Sequence, residues 1–153
     1  MKERTQAMLA ESVLEAARKR LVTVMETAPL FEAATLFRAG SDLVVVCGST
    51  GLLTGIVTKT DIVKRISLCQ VGLCMVPTSS VMIREVISCR AIGRLEDVWS
   101  TMKARGLKNV PVIDDAGKPI GVLNARDALQ VLLQEVQNEE LLLRDYVMGI
   151  GYG

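Results

Sequence analysis

The stretch Gly55-Ile56-Val57-Thr58-Lys59-Thr60-Asp61 returns 66 positions later as Gly121-Val122-Leu123-Asn124-Ala125-Arg126-Asp127. Each begins at a glycine and runs through two apolar, strand-like residues. Each then reaches a side chain with a polar oxygen and, three residues on, an aspartate. A β run followed by this polar pair predicts a strand-to-helix junction.

Working outward, the offset holds without a gap when Pro29–Val63 is written above Leu95–Leu129. Seven of the 35 columns are identical: Thr35/Thr101, Gly40/Gly106, Val44/Val110, Val46/Val112, Gly51/Gly117, Gly55/Gly121 and Asp61/Asp127. Each copy opens with a helical segment, LFEAATLFRAG (Leu30–Gly40) or LEDVWSTMKARG (Leu95–Gly106), whose last glycine suits a helix C-terminus. A β-branched run follows, LVVVC or NVPVI, then a turn, GSTG or DDAG. A second strand, LLTGIVT or KPIGVLN, closes a hairpin and leads into the next helix. A further strand is expected before each first helix, at Arg20–Val24 and Glu85–Cys89. Pro77 and Ser79–Ser80 mark the link between copies.

A single copy of about 60 residues would leave one sheet face poorly covered, so the copies are expected to pack as one module. The expected class is α/β (α+β), with two pseudo-symmetric β-α-β-β-α repeats. The expected division is a helical segment at 1–19, repeats at 20–76 and 77–135, and a C-terminal helix and tail at 136–153. Ala7–Ala17 is amphipathic. Ala128–Val147 carries an apolar face interrupted near Asn138–Glu140, more than one domain needs, which predicts a homodimer seam.

Composition removes several function classes. The 153 residues hold 18 Lys and Arg against 17 Asp and Glu, a net charge of +1, which argues against a general nucleic-acid binder. The five aromatics are Phe31, Phe37, Trp99, Tyr146 and Tyr152, too few for a base-stacking platform. There is no histidine, which excludes imidazole bases and His-ligated zinc. No catalytic residue is expected, because the Asp114-Asp115 and Glu139-Glu140 pairs sit in turn and helix-surface contexts. The CQVGLC spacing of Cys69 and Cys74 is not a zinc pattern, so no metal site is expected. No signal peptide or membrane-spanning run is visible, which predicts a cytoplasmic protein with reduced thiols. Arg18-Lys19-Arg20 reads as a solvated helix end.

The junction has two physical readings. A helix N-terminus offers free N–H groups and partial positive charge to a phosphate. The Thr58 hydroxyl can bond a phosphate or ribose oxygen, and the Asp61 carboxylate can accept from two ribose hydroxyls. Adenine would then lie against apolar strand residues such as Ile56 and Ile87. Thr-x-x-Asp is equally a helix capping box. The two roles can coexist, since Asp61 has two oxygens.

These residues resemble the cystathionine β-synthase (CBS) domain family, in the tandem arrangement called a Bateman module. Both junctions fit its G-h-h-(S/T)-x-x-D signature, with Asn124 departing at the hydroxyl. Val110-Pro111-Val112-Ile113-Asp114 fits its h-P-V-h-D strand, whereas the first copy has Val45 at the proline. Val81-Met82 before Val86-Ile87-Ser88-Cys89 resembles the entry to a second copy, and LLLRDYVMGIGYG resembles the end of stand-alone bacterial members. The resemblance spans roughly 13–148. It implies a regulatory protein that binds an adenine nucleotide (AMP, ATP or a dinucleotide such as NAD), needs no other cofactor and acts on an effector protein.

In that family each pocket joins the aspartate of one copy to the strand entry of the other. The first site would then comprise Ile56, Thr58, Lys59, Thr60, Asp61, Met82, Ile87, Lys108 and Asn109. The second would comprise Leu21, Asp42, Leu43, Val122, Asn124, Arg126 and Asp127. Lys108 favours a phosphate at the first site and Asp42 opposes one at the second, so the first is expected to be stronger. Two other readings stand beside this one: a dimerisation module with empty pockets, and a redox protein using Cys69 and Cys74.

Overall fold

The computed structural model describes residues 11–68 and 75–152. Cys69, Cys74 and the first part of the Ala7–Ala17 segment lie outside them. In chain order the elements are α1 (Glu11–Arg20), β1 (Thr23–Met25), α2 (Leu30–Arg38), β2 (Leu43–Cys47), β3 (Leu53–Thr58) and α3 (Lys59–Leu68). A 3-10 turn (Thr78–Ser80) leads to β4 (Cys89–Arg90), α4 (Leu95–Arg105), β5 (Asn109–Ile113), β6 (Pro119–Asn124) and α5 (Ala125–Tyr152).

Two three-stranded sheets form, ordered β1-β2-β3 and β4-β5-β6, each a parallel edge strand beside an antiparallel hairpin. The hairpins repeat in register. Val45 faces Ile56 and Pro111 faces Val122, and both hairpins break register after Val46 or Val112. Glycine makes both turns possible, because Gly51 and Gly117 adopt φ of +85° and +93°.

Val24 beside Val46 matches Cys89 beside Val112, which aligns β4 with β1 at an offset of 65, but the first repeat's earlier pair, Thr23 with Val45, has no counterpart. The Val45 N–H donates to the Val22 carbonyl at 2.9 Å. Pro111, the equivalent of Val45, has no N–H to donate, so pairing starts one position later. This corrects the expected strand at Glu85–Cys89, of which only Cys89 is in β4. It also corrects Arg20–Val24, because Arg20 closes α1 and the strand begins at Thr23.

The repeats exchange their leading segments. Val13, Leu14 and Ala17 of α1 are buried with Leu95, Met102, Val110, Val112 and Leu123 of the second repeat. The segment before the second repeat does the reverse: Met82 joins Val24, Leu30, Val44, Val57 and Ile62 of the first. A third cluster of Leu43, Val45, Cys47 and Val122 joins the sheets, with Leu21, Leu53 and Ile56 against it. Burying each Val or Leu contributes roughly 1.5–3 kcal/mol, so neither repeat is complete without the other's lead-in. Backbone bonds reinforce the junction, from the Leu53 N–H to the Gly117 carbonyl at 3.0 Å and between Ile56 and Ile83 at 2.8 and 3.0 Å.

The apolar pattern lapses near Asn138–Glu140, but α5 runs unbroken from Ala125 to Tyr152. Trp99 packs at the edge of the second repeat's core, with Lys103 Nζ 5.8 Å from its ring centre. Among the described residues, no helix is long and apolar enough to cross a membrane.

Candidate functional site

The two signatures share a sequence pattern but bond differently. At the first, β3 ends at Thr58 and α3 starts at once. Asp61 Oδ2 accepts from the Thr58 N–H at 2.8 Å and from the Thr58 hydroxyl at 2.9 Å. The Asp61 N–H donates back to Thr58 Oγ1 at 3.3 Å. This is a closed capping box, and it uses one carboxylate oxygen for both accepted bonds.

At the second signature the amide of Asn124 takes over the cap. Its Oδ1 accepts from the Arg126 N–H at 2.9 Å, and its Nδ2 donates to Asn109 Oδ1 at 3.0 Å. The Ala125 N–H donates to the Lys108 carbonyl at 2.8 Å. Asp127 is thereby released from capping and turns toward α1. Arg20 Nε donates to Asp127 Oδ2 at 2.9 Å.

A cavity of about 320 Å³ opens between the repeats beside this pair. Leu21, Asp42, Leu43 and Val122 line it, as does Asn109 from the other expected set. Its volume lies at the lower end of the range for small-molecule sites. Asp42 also meets Lys59 of the first signature, Nζ to Oδ1 at 3.8 Å, so the two expected sets touch here, although of the first set only Asn109 lines the cavity. Ile87 does not join them. It lines a separate cavity of about 190 Å³ with Cys89, Asp97, Val98, Thr101 and Val110. Met82 is buried against the first core and Ile56 against the inter-repeat cluster. Thr60, Lys108 and Arg126 are exposed.

Sequence reasoning passed over Lys19 and Arg20, which both line the cavity. The basic run had an ordinary explanation as a helix end. Nor did the offset of 66 help: the strand pairing aligns Val24 with Cys89, an offset of 65, so Lys19 and Arg20 correspond to Arg84 and Glu85. Two cations stand on the wall of one pocket where its twin has Arg84 and Glu85, a cation and an acid. Asp42, the acid that counted against the second site, faces Lys59, and Arg20 faces Asp127, so Lys19 adds positive charge to this wall against the order drawn from Lys108 and Asp42.

The remaining chemistry is quiet. Among the described residues no group of three or more His, Cys, Asp or Glu is placed to hold a metal ion. Cys47 and Cys89 are buried free thiols. Burial pushes both upward in pKa, Cys89 to about 11, so neither is a thiolate near neutrality. Asp114 Oδ1 accepts from the N–H groups of Ala116 and Lys118, both at 2.9 Å, and Asp115 pairs with Arg90, so this acidic pair builds its turn.

An uncharacterised protein of Methanopyrus kandleri, MK0525, is 29% identical over 125 residues, 81% of this chain and 64% of that protein. GutQ of Salmonella typhi, an arabinose 5-phosphate isomerase, is 30% identical over 125 residues, 82% of this chain but 33% of the enzyme. The chain thus spans about a third to two thirds of these curated relatives. The solved structure of CBSX2, in complex with AMP, shares the fold with a TM-score of 0.64 at 22% identity, over 80% of this chain and 96% of that one. The family model for the CBS domain matches twice, at residues 11–68 and 79–134, and the chain belongs to the CBS-domain family as a tandem pair.

Proposed function

We propose that the chain is a regulatory module that binds an adenine nucleotide in the cleft between its repeats and has no catalysis of its own. The observation that carries this is the inter-repeat cavity. It combines an apolar floor of Leu21, Leu43 and Val122 with Lys19 and Arg20 on its wall and Asp127 tied to Arg20. An apolar floor suits a base, a carboxylate suits ribose hydroxyls, and paired cations suit phosphate. The AMP complex of CBSX2, which has the same fold, supports the choice of ligand class. This reading puts the stronger site at Asp127 and the weaker at Asp61, the reverse of the order drawn from Lys108 and Asp42.

The ligand would act by favouring one relative placement of the repeats, which share a single interlocked core. A partner chain would read that placement. We further propose that the module works as a homodimer through α5 and in the cytoplasm, where its thiols stay reduced.

Isothermal titration with AMP tests the reading. Asp127→Ala is expected to weaken binding at least tenfold, and Asp61→Ala much less, since losing charged hydrogen bonds costs about 1.5–3 kcal/mol. A melting temperature that AMP leaves unmoved would favour the dimerisation module with empty pockets.

A further inference from the structure

Arg20 and Asp127 lie 107 positions apart, at the end of α1 and the start of α5, yet their side chains meet at 2.9 Å. If Asp127 is the acceptor for ribose, Arg20 occupies that acceptor before any ligand arrives. A ribose cis-diol that takes both carboxylate oxygens must displace it from Oδ2. What becomes of the displaced guanidinium then decides which ligands bind.

Arg20 lines the cavity beside Lys19. A ligand with a phosphate gives the released guanidinium a new anionic partner, matched to its planar fork. A ligand without one leaves that cation only water in exchange for the carboxylate. The pair is suited to exchange. The Arg20 and Asp127 side chains are 38% and 23% exposed, so water screens the bond and keeps it from being locked.

We propose that Arg20 is the specificity-determining residue of this cavity, selecting phosphorylated adenosine over adenosine by trading Asp127 for the phosphate. The proposal rests on the reading that an adenine nucleotide occupies this cavity and reaches the neighbouring Asp127. The device exists at one signature only. The position equivalent to Arg20 in the strand register is Glu85, and the carboxylate of Asp61 is engaged by its own Thr58.

The test is isothermal titration of the whole chain with AMP and with adenosine. It is run on the unmodified protein and on Asp61→Ala, which leaves the Asp127 signature to be read alone. In the Asp61→Ala chain AMP is expected to bind at least about tenfold more tightly than adenosine. Adding Arg20→Met is expected to weaken AMP, strengthen adenosine and bring the ratio below about threefold, because Asp127 is then open from the start. Adding Arg20→Lys instead is expected to keep most of the preference.

Circular dichroism melting shows whether Arg20→Met folds. If it does not, Arg20→Lys carries the test through salt, which must reduce the AMP preference while leaving adenosine nearly unchanged. An unaltered ratio in Arg20→Met, or a preference indifferent to salt in Arg20→Lys, overturns the proposal and leaves the nucleotide reading standing. AMP binding that vanishes entirely with Asp61→Ala puts the nucleotide at the other signature and also overturns it. No binding of either ligand to the unmodified chain overturns both.

Discussion

Gly121 of β6 runs so close to α1 that a side-chain carbon added to it would stand 2.9 Å from Ala17 Cβ. The Ala17 carbonyl oxygen would be 3.0 Å away, so the obstacle includes backbone that cannot rotate aside. Glycine here is a condition for α1 to lie on the second repeat's sheet. Gly121→Ala is expected to destabilise the protein by about 2–3 kcal/mol through overpacking. Gly106→Ala is the control, since Gly106 has φ of +67° but open space around it. That change should cost only about 1–2 kcal/mol, the strain of a left-handed residue. Urea denaturation measures both. Equal costs would mean that the approach of α1 to β6 is looser than the geometry states.

The Thr58–Asp61 box makes a second prediction, about how two losses combine. Each residue's side chain is bonded within the same cap. Thr58→Ala and Asp61→Ala should each cost about 1 kcal/mol, as helix caps do. The double variant should cost clearly less than the sum, because the first change already breaks the shared bond. Strict additivity in a double-mutant cycle would show that the box does not form in solution.

Cys47 and Cys89 give a prediction in pH. Burial raises both thiols, Cys89 to about 11. In the unfolded chain a thiol ionises near its ordinary value of about 8.5. Between that pH and 11 the unfolded state loses the Cys89 proton while the folded state keeps it. Stability should therefore be level through neutrality and fall as pH rises across that window. A Cys69→Ser/Cys74→Ser variant isolates the two buried thiols. They should resist an aromatic disulfide reagent at pH 8 and react fully in urea. Rapid labelling of the native protein would contradict the burial of β2 and β4.

How much of this was legible in the sequence depends on what each feature rests upon. The hairpins were, because Gly51, Gly55, Gly117 and Gly121 mark turns and close approaches that local pattern records directly. The exchange of lead-in segments was not. Val13, Leu14 and Ala17 announce an amphipathic helix, but nothing local says which repeat's sheet receives it. The edge-strand starts were misplaced for a related reason. Pairing of β4 is set by the missing N–H of Pro111, a residue in another strand. Asp61 and Asp127 looked equivalent because the motif records residue types. Their different bonding follows from Thr58 against Asn124, and from Arg20, which only the tertiary fold brings near.

The exposed face of α5 carries the last prediction. Leu129, Leu133, Val136, Leu143 and Val147 recur at steps of four, three, seven and four residues, which keeps them on one stripe of the helix. All five are exposed, from 39% at Leu129 to 65% at Leu143, on a helix that continues well past the second sheet. Glu140 falls at the intervening step, so two such helices would meet through an apolar seam with one charged position. In a parallel pair Glu140 would face its own copy, so the antiparallel arrangement is expected. Sedimentation equilibrium at about 50 micromolar should show a dimer, and Leu143→Glu should shift it to monomer with the far-ultraviolet helix signal retained. The same change should leave AMP affinity of the monomer within about threefold, because the cavity proposed for the nucleotide lies between repeats of one chain. An unmodified protein that sediments as monomer at that concentration removes the seam, and a Leu143→Glu chain that stays dimeric moves it to another face.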